Sequence, residues 1–255
     1  RLEDSMSDLS DKTTIVVGAS RGLGRGIATA FAEAGAPVVA VSRTAAEFPG
    51  PADGAGSIQP EVADAGDPTV AGSLLDRYEP RAVILVAGAT PHMLPLQEQT
   101  WETFSVNWET DVRIAFHWLR EALLRPLRPG SRVVVVSSGA AVNPNGSPLS
   151  GGYAGAKATQ RLITAYAQGE AERAGLDLTF TAVLPKFAPT TAVGRSATQA
   201  YAARAGQPVE EYLEQLDTVI TPEIAGDAMV ELVRADAADV ASAYVLTGGG
   251  LQKLP

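Results

Sequence analysis

Short β-branched runs alternate along the chain with longer stretches in which apolar residues recur at helical spacing. The apolar runs are Thr13–Val17, Val38–Val41, Ala82–Val86, Val133–Val136, Leu178–Leu184 and Tyr244–Leu246, with a weaker one at Ser57–Val62. Between them the pattern predicts helices over Gly22–Ala34, Thr69–Arg77, Thr100–Leu124, Gly152–Ala174, Val209–Leu216 and Pro222–Arg234. Gly35, Gly130 and Gly175 stand where helix stop signals belong. Strand and helix in alternation predict an α/β fold, a doubly wound parallel sheet of about seven strands with helices on both faces. Lys186–Gln207 has no clear period, is rich in small and polar residues and follows a strand, so it is expected to be a long surface loop.

Composition narrows what such a sheet could do. The 255 residues suffice for one sizeable core, and no internal repeat divides them, so residues 12–255 are expected to form a single domain with a substrate loop at about 186–217. Residues 1–11 are polar and read as a flexible segment, with Met6 as a natural start behind an expression remnant at 1–5. A formal net charge of −9 repels phosphate backbones and anionic headgroups, which argues against nucleic acid and membrane surfaces as partners. No apolar run approaches a spanning helix and the start is not signal-like, so a cytoplasmic protein is expected. The absence of cysteine excludes disulfides and thiol nucleophiles, and two histidines, His92 and His117, leave little for a metal site; none is expected. Chemistry must come from oxygen nucleophiles, lysine or a bound cofactor.

Two motifs supply candidates. The first strand runs into Gly18-Ala19-Ser20-Arg21-Gly22-Leu23-Gly24 and then directly into a helix. Glycines at such a turn let the backbone approach a pyrophosphate, while the helix N-terminus offers oriented N–H groups to the anion. Farther on, Tyr153 and Lys157 stand four residues apart, one turn of the same helix. A phenol needs a neighbouring cation to exchange protons near neutrality, and Lys157 can supply that field. The preceding run Val133–Val136 ends in Ser137-Ser138, hydroxyls at a strand end where parallel sheets place ligands.

With its Gly-x-x-x-Gly-x-Gly turn and Tyr-x-x-x-Lys behind a serine strand, the chain resembles the short-chain dehydrogenase/reductase family from about Lys12 to Leu251. The resemblance implies a Rossmann-type fold and an NADPH-dependent 3-oxoacyl-type ketoreductase. In it Tyr153 is the general acid, Ser138 orients the substrate (Ser137 is the alternative), and Lys157 binds the nicotinamide ribose and lowers the Tyr pKa. The alternatives are an NADP-linked alcohol dehydrogenase working oxidatively and a catalytically impaired NADP-binding regulatory subunit. The family's helix Asn corresponds by alignment to Asp111, with Asn107 one turn earlier as the alternative. Cofactor contacts are implied at Gly18, Ser20, Arg21, Gly22, Leu23, Gly24, Ser42, Arg43, Val62, Asp64, Ala87, Gly88, Pro185 and Thr190, besides Tyr153 and Lys157. The second strand ends in Ser42-Arg43 where NAD selection would need a carboxylate. Arg43 with Arg21 offers guanidinium forks for a 2′-phosphate, so NADP is expected rather than NAD. Lys186 replaces the family's glycine after Pro185 and adds a cation near the site, suited to an anionic substrate or simply exposed. His92 is assigned no role. By analogy with the family, the two long helices are expected to pair in a homodimer or homotetramer.

Overall fold

The computed structural model describes residues 8–50, 56–125, 127–144, 146–216 and 219–254. Eight strands form one sheet among these residues: β1 Thr14–Val17, β2 Pro37–Ser42, β3 Ser57–Val62, β4 Ala82–Leu85, β5 Ser131–Val136, β6 Leu178–Pro185, β7 Ala243–Thr247 and β8 Gly250–Lys253. Their order is β3-β2-β1-β4-β5-β6-β7-β8, parallel throughout except for β8, which pairs antiparallel with β7. The sheet is therefore the expected Rossmann-type one with an eighth strand added. Gly250–Lys253 escaped the sequence pattern because it is four residues long and carries no apolar run.

Side-chain alternation along the central strands divides the core in two. Val16, Val38, Ala40, Ile84 and Val134 face one way, onto helices α1 (Gly22–Glu33) and α8 (Pro222–Arg234). Ile15, Val17, Val39, Val83 and Val135 face the other way. They meet α2 (Val70–Tyr78), α4 (Arg113–Leu124) and α5 (Gly151–Arg173). A strand buried on both faces must be apolar at every position, which explains the unbroken runs in the sequence. Leu9 is fully buried in the first of these clusters, so packing begins within the segment expected to be flexible. The expected remnant at 1–5 lies outside the described residues.

Two helical expectations are corrected. The single helix over Thr100–Leu124 is three pieces: α3 (Trp101–Asn107), a π-helical turn at Trp108–Val112, and α4. The long surface loop at Lys186–Gln207 contains α6 (Ala192–Ala205), followed by α7 (Val209–Glu214). Alanine at six of its fourteen positions gives α6 high intrinsic helix propensity without the apolar stripe that a periodicity search detects. No helix among the described residues is long and apolar enough to cross a membrane.

Candidate active site

Strand order reverses between β1 and β4, and the loops leaving their carboxyl ends part there to form a crevice. A cavity of about 900 Å³ occupies it, running from the β1–α1 turn past the ends of β5 and β6 to α6 and Tyr212. At one end Gly18, Ser20, Arg21, Gly22, Leu23 and Gly24 line it. Gly18 has φ +93°, and a Cβ on Gly24 would stand 2.1 Å from the Gly18 carbonyl oxygen, so the turn closes only with glycine at both places. Arg21, the residue before α1, makes no side-chain cap hydrogen bond. The first N–H groups of α1 are thus left for an anion, and the cradle fits the pyrophosphate of a dinucleotide.

Ser42 and Arg43 line the next wall, at the end of β2. The Ser42 hydroxyl donates to the Thr44 carbonyl at 2.7 Å. Arg25 braces the segment beyond: its guanidinium donates to the Glu47 carbonyl at 2.7 Å and lies 4.9 Å from the centre of the Phe48 ring. After β3 the cavity is bounded by Ala63, Asp64 and Ala65. Val62 is 59% exposed and lies outside the lining, a correction to the expected cofactor contact. Ala87 and Gly88, after β4, line the cavity.

The centre of the cavity gathers Ser138, Tyr153 and Lys157. Ser137 and Ser138 divide their work. The Ser137 hydroxyl, buried, donates to the Lys157 carbonyl at 2.7 Å and ties the end of β5 to α5. Ser138 lines the cavity, its oxygen accepting the Ala140 N–H at 3.2 Å. Lys157 Nζ lies 5.5 Å from the centre of the Tyr153 ring, so the cation stands beside the phenol as the four-residue spacing implied. Both chemically relevant hydroxyls and the ammonium therefore face one space.

Behind them is a buried network that the sequence only half announced. Asp111 is completely buried, and its Oδ2 lies 3.0 Å from Lys157 Nζ. The other carboxylate oxygen accepts the Ala89 N–H at 2.8 Å. Asn107 stands one layer farther back, donating to the Ala89 carbonyl at 2.7 Å and to both Asp111 oxygens at 3.3 Å. Asp111 lines the cavity and Asn107 does not. Gln160 bridges the remaining gap, accepting from Lys157 Nζ at 3.0 Å and donating to the Asp111 carbonyl at 2.9 Å. Burial pushes the Lys157 ammonium toward neutrality, but the Asp111 carboxylate and the Tyr153 phenol outweigh it and raise its pKa. A Cβ on Gly88 would fall 2.7 Å from Asp111 Oδ2, so the carboxylate packs directly under the β4 loop. Gln160 could have been found from sequence: Tyr153, Lys157, Gln160 and Thr164 are polar at helical spacing on one face of α5, and the last three are buried.

Pro185 and Lys186 line the cavity after β6. Thr190, expected to hold the nicotinamide carboxamide, does not; it is exposed, and its carbonyl accepts from Arg195. Thr191 lines the cavity in its place, because it caps α6: its oxygen accepts the Gly194 N–H at 3.0 Å and its hydroxyl donates to the Ala188 carbonyl at 2.8 Å. Folding this stretch as a helix turned Thr190 outward. His92 is exposed and outside the lining.

The family model described as short chain dehydrogenase matches residues 12–201. A hydroxynaphthalene reductase-like protein of Metarhizium majus is 28% identical over 271 residues, covering 97% of each chain. Among solved structures, a 3-oxoacyl-[acyl-carrier protein] reductase of Brucella melitensis in complex with NAD superposes with a TM-score of 0.74 at 20% identity. An alcohol dehydrogenase of Thermococcus sibiricus, complexed with 5-hydroxy-NADP, gives 0.71 at 20%. Each alignment covers 93% of this chain and 96% of the other. With the family model spanning the glycine turn, Ser138, Tyr153 and Lys157, this chain belongs to the short chain dehydrogenase family.

Proposed function

We propose that this oxidoreductase is an NADPH-dependent ketoreductase, formed by residues 12–255 as one domain and working in the cytoplasm. The observation that carries the reading is the meeting of Ser138, Tyr153 and Lys157 in one cavity whose far end holds a glycine cradle and two arginines. The cradle at residues 18–24 would hold the pyrophosphate, and Arg21 and Arg43 the 2′-phosphate. Asp64 would meet the adenine, and Ala87, Gly88 and Pro185 would border the rest of the dinucleotide. Two guanidiniums and no carboxylate at the end of β2 favour a phosphorylated ribose over a free one.

The nicotinamide, when bound, supplies hydride to the carbonyl carbon. Tyr153 donates its phenolic proton to the carbonyl oxygen, and the Ser138 hydroxyl donates a hydrogen bond to the same oxygen, holding it in place. Lys157 has three N–H donors; Asp111 and Gln160 take two, leaving one for the nicotinamide ribose. Asp111 thus acts through Lys157 as a positioning residue, and Asn107 acts through Asp111. The reductase names among relatives support the direction. A pure binding subunit would have no use for a phenol and a hydroxyl converging beside the lysine.

NADPH consumption with a panel of ketones tests the reading. Turnover that falls at least a hundredfold in Tyr153→Phe, with NADPH affinity retained, is expected; turnover surviving the change removes Tyr153 as the acid. Trp101, Phe116, Leu162 and Tyr166 leave apolar area exposed on α3, α4 and α5, which supports a homodimer or homotetramer paired through these helices. Light scattering on the purified protein checks it.

A further inference from the structure

Beyond Ser138 the cavity reaches the segment that follows β6, where its charges do not balance. Only two carboxylates line the whole cavity among the described residues, Asp64 and Asp111. Asp64 sits after β3 and accepts the Gly66 N–H at 3.0 Å, while Asp111 is committed to Lys157. Lys186 lines the cavity too, exposed, and no ion pair or hydrogen bond engages its ammonium among the described residues. Arg21 and Arg43 follow β1 and β2 and are taken, in the proposed function, by the cofactor's 2′-phosphate.

The mount of this cation is fixed. The Lys186 N–H donates to the Leu246 carbonyl at 2.9 Å, and the Ile220 N–H donates to the carbonyl of Phe187 at 2.8 Å. A Cβ built on Gly139 would stand 3.4 Å from Lys186 Cα and 3.8 Å from Cγ, so the stem passes directly beside the residue after Ser138. On this side the lining mixes Val142, Phe187, Val193, Tyr201 and Tyr212 with the polar Asn143, Ser147 and Thr191, and the Tyr201 hydroxyl is engaged with the Ser150 hydroxyl at 3.1 Å. A cavity cation without a counter-ion, its stem beside the residue that follows Ser138, is electrostatically completed by an anion.

We propose that the carbonyl substrate bears an oxyanion and that Lys186 binds it, making a keto acid with an apolar body the preferred class over a neutral ketone. This rests on the ketoreductase reading for the reaction, though not for the binding. The test compares benzoylformate with its neutral methyl ester. With saturating NADPH, the acid-to-ester ratio of kcat/KM is expected to be about ten or more in the wild type. It should fall toward one in Lys186→Gln and be largely kept in Lys186→Arg. High salt should shrink the ratio in the wild type and leave it unchanged in Lys186→Gln. A ratio near one in the wild type, or one that survives Lys186→Gln, overturns the proposal. If neither compound is turned over, the reductase reading fails on these probes while calorimetry still decides the binding. Benzoylformate should bind the wild type, with and without NADP, at least tenfold more tightly than it binds Lys186→Gln; equal affinities, or no binding to either, overturn the assignment.

Discussion

Replacing Asp111 by alanine removes one half of the buried pair and leaves Lys157, which is 4% exposed, facing no countercharge. Breaking such a pair by deleting one partner costs about 3–5 kcal/mol, because the remaining charge stays desolvated. In a chain of this size that corresponds to a fall of roughly 10 °C in Tm. The pH dependence gives a sharper check than the magnitude. In the wild type the Lys157 pKa is raised in the fold, so its contribution is fully present below the unfolded lysine value of about 10.4 and is lost only as pH climbs through the folded value above it. In Asp111→Ala burial dominates and depresses the folded pKa below the unfolded one. The folded state then favours neutral lysine, and the variant regains stability as pH rises between the two values. Thermal unfolding followed by circular dichroism from pH 7 to 10 should show the gap between variant and wild type narrowing with pH. A gap that stays constant, or a variant within 1 °C of the wild type at pH 7, would refute the claim that Asp111 holds the Lys157 charge.

Arg43→Ala should reduce the preference for NADPH over NADH by about tenfold in titrations of Kd, since a guanidinium–phosphate contact is charge-assisted; an unchanged ratio would remove Arg43 from cofactor selection. Arg25→Ala, at a residue outside the lining whose guanidinium braces both the Ser20 carbonyl at 3.4 Å and the 43–48 segment, should also weaken NADPH by a few-fold, visible as raised KM with kcat held. Gly24→Ala should leave little dinucleotide binding and destabilise the chain, because its Cβ would lie 2.1 Å from a carbonyl oxygen of the turn it packs against; fluorescence titration together with Tm separates the two losses.

How far the sequence foretold these features depends on whether the information is local. Seven strands were legible because each central one is apolar on both faces, and the glycine turn and the Tyr153–Lys157 spacing lie within single turns of chain. The serines were separable only in three dimensions: both end β5, and which one anchors α5 depends on the pleat. Thr190 failed for a related reason. Spacing from Pro185 placed it, but the neighbouring Thr191 is the better helix cap, and the onset of α6 decided which threonine looks inward. Helix α6 was invisible to periodicity because alanine-rich segments carry propensity without contrast. Val62 was misjudged because β3 is mostly exposed and shows no buried face that would fix its orientation.

The π-helical turn at Trp108–Val112 works as a phase shifter. Inserting an extra residue per turn rotates everything downstream by about 100° relative to an unbroken helix. With that offset α4 arrives with Ile114 and Trp118 in the core and Phe116 outward, while Asn107 and Asp111 upstream still reach the Ala89 loop. One helix thereby answers two separate demands, a polar network at its start and an apolar seat at its end, that an undisturbed 3.6-residue period would have forced into competition. Rewinding this stretch as an ordinary α-helical turn with every residue kept would swing Trp118 away from the sheet by about 100°, so here the winding matters as much as the identity of the residues.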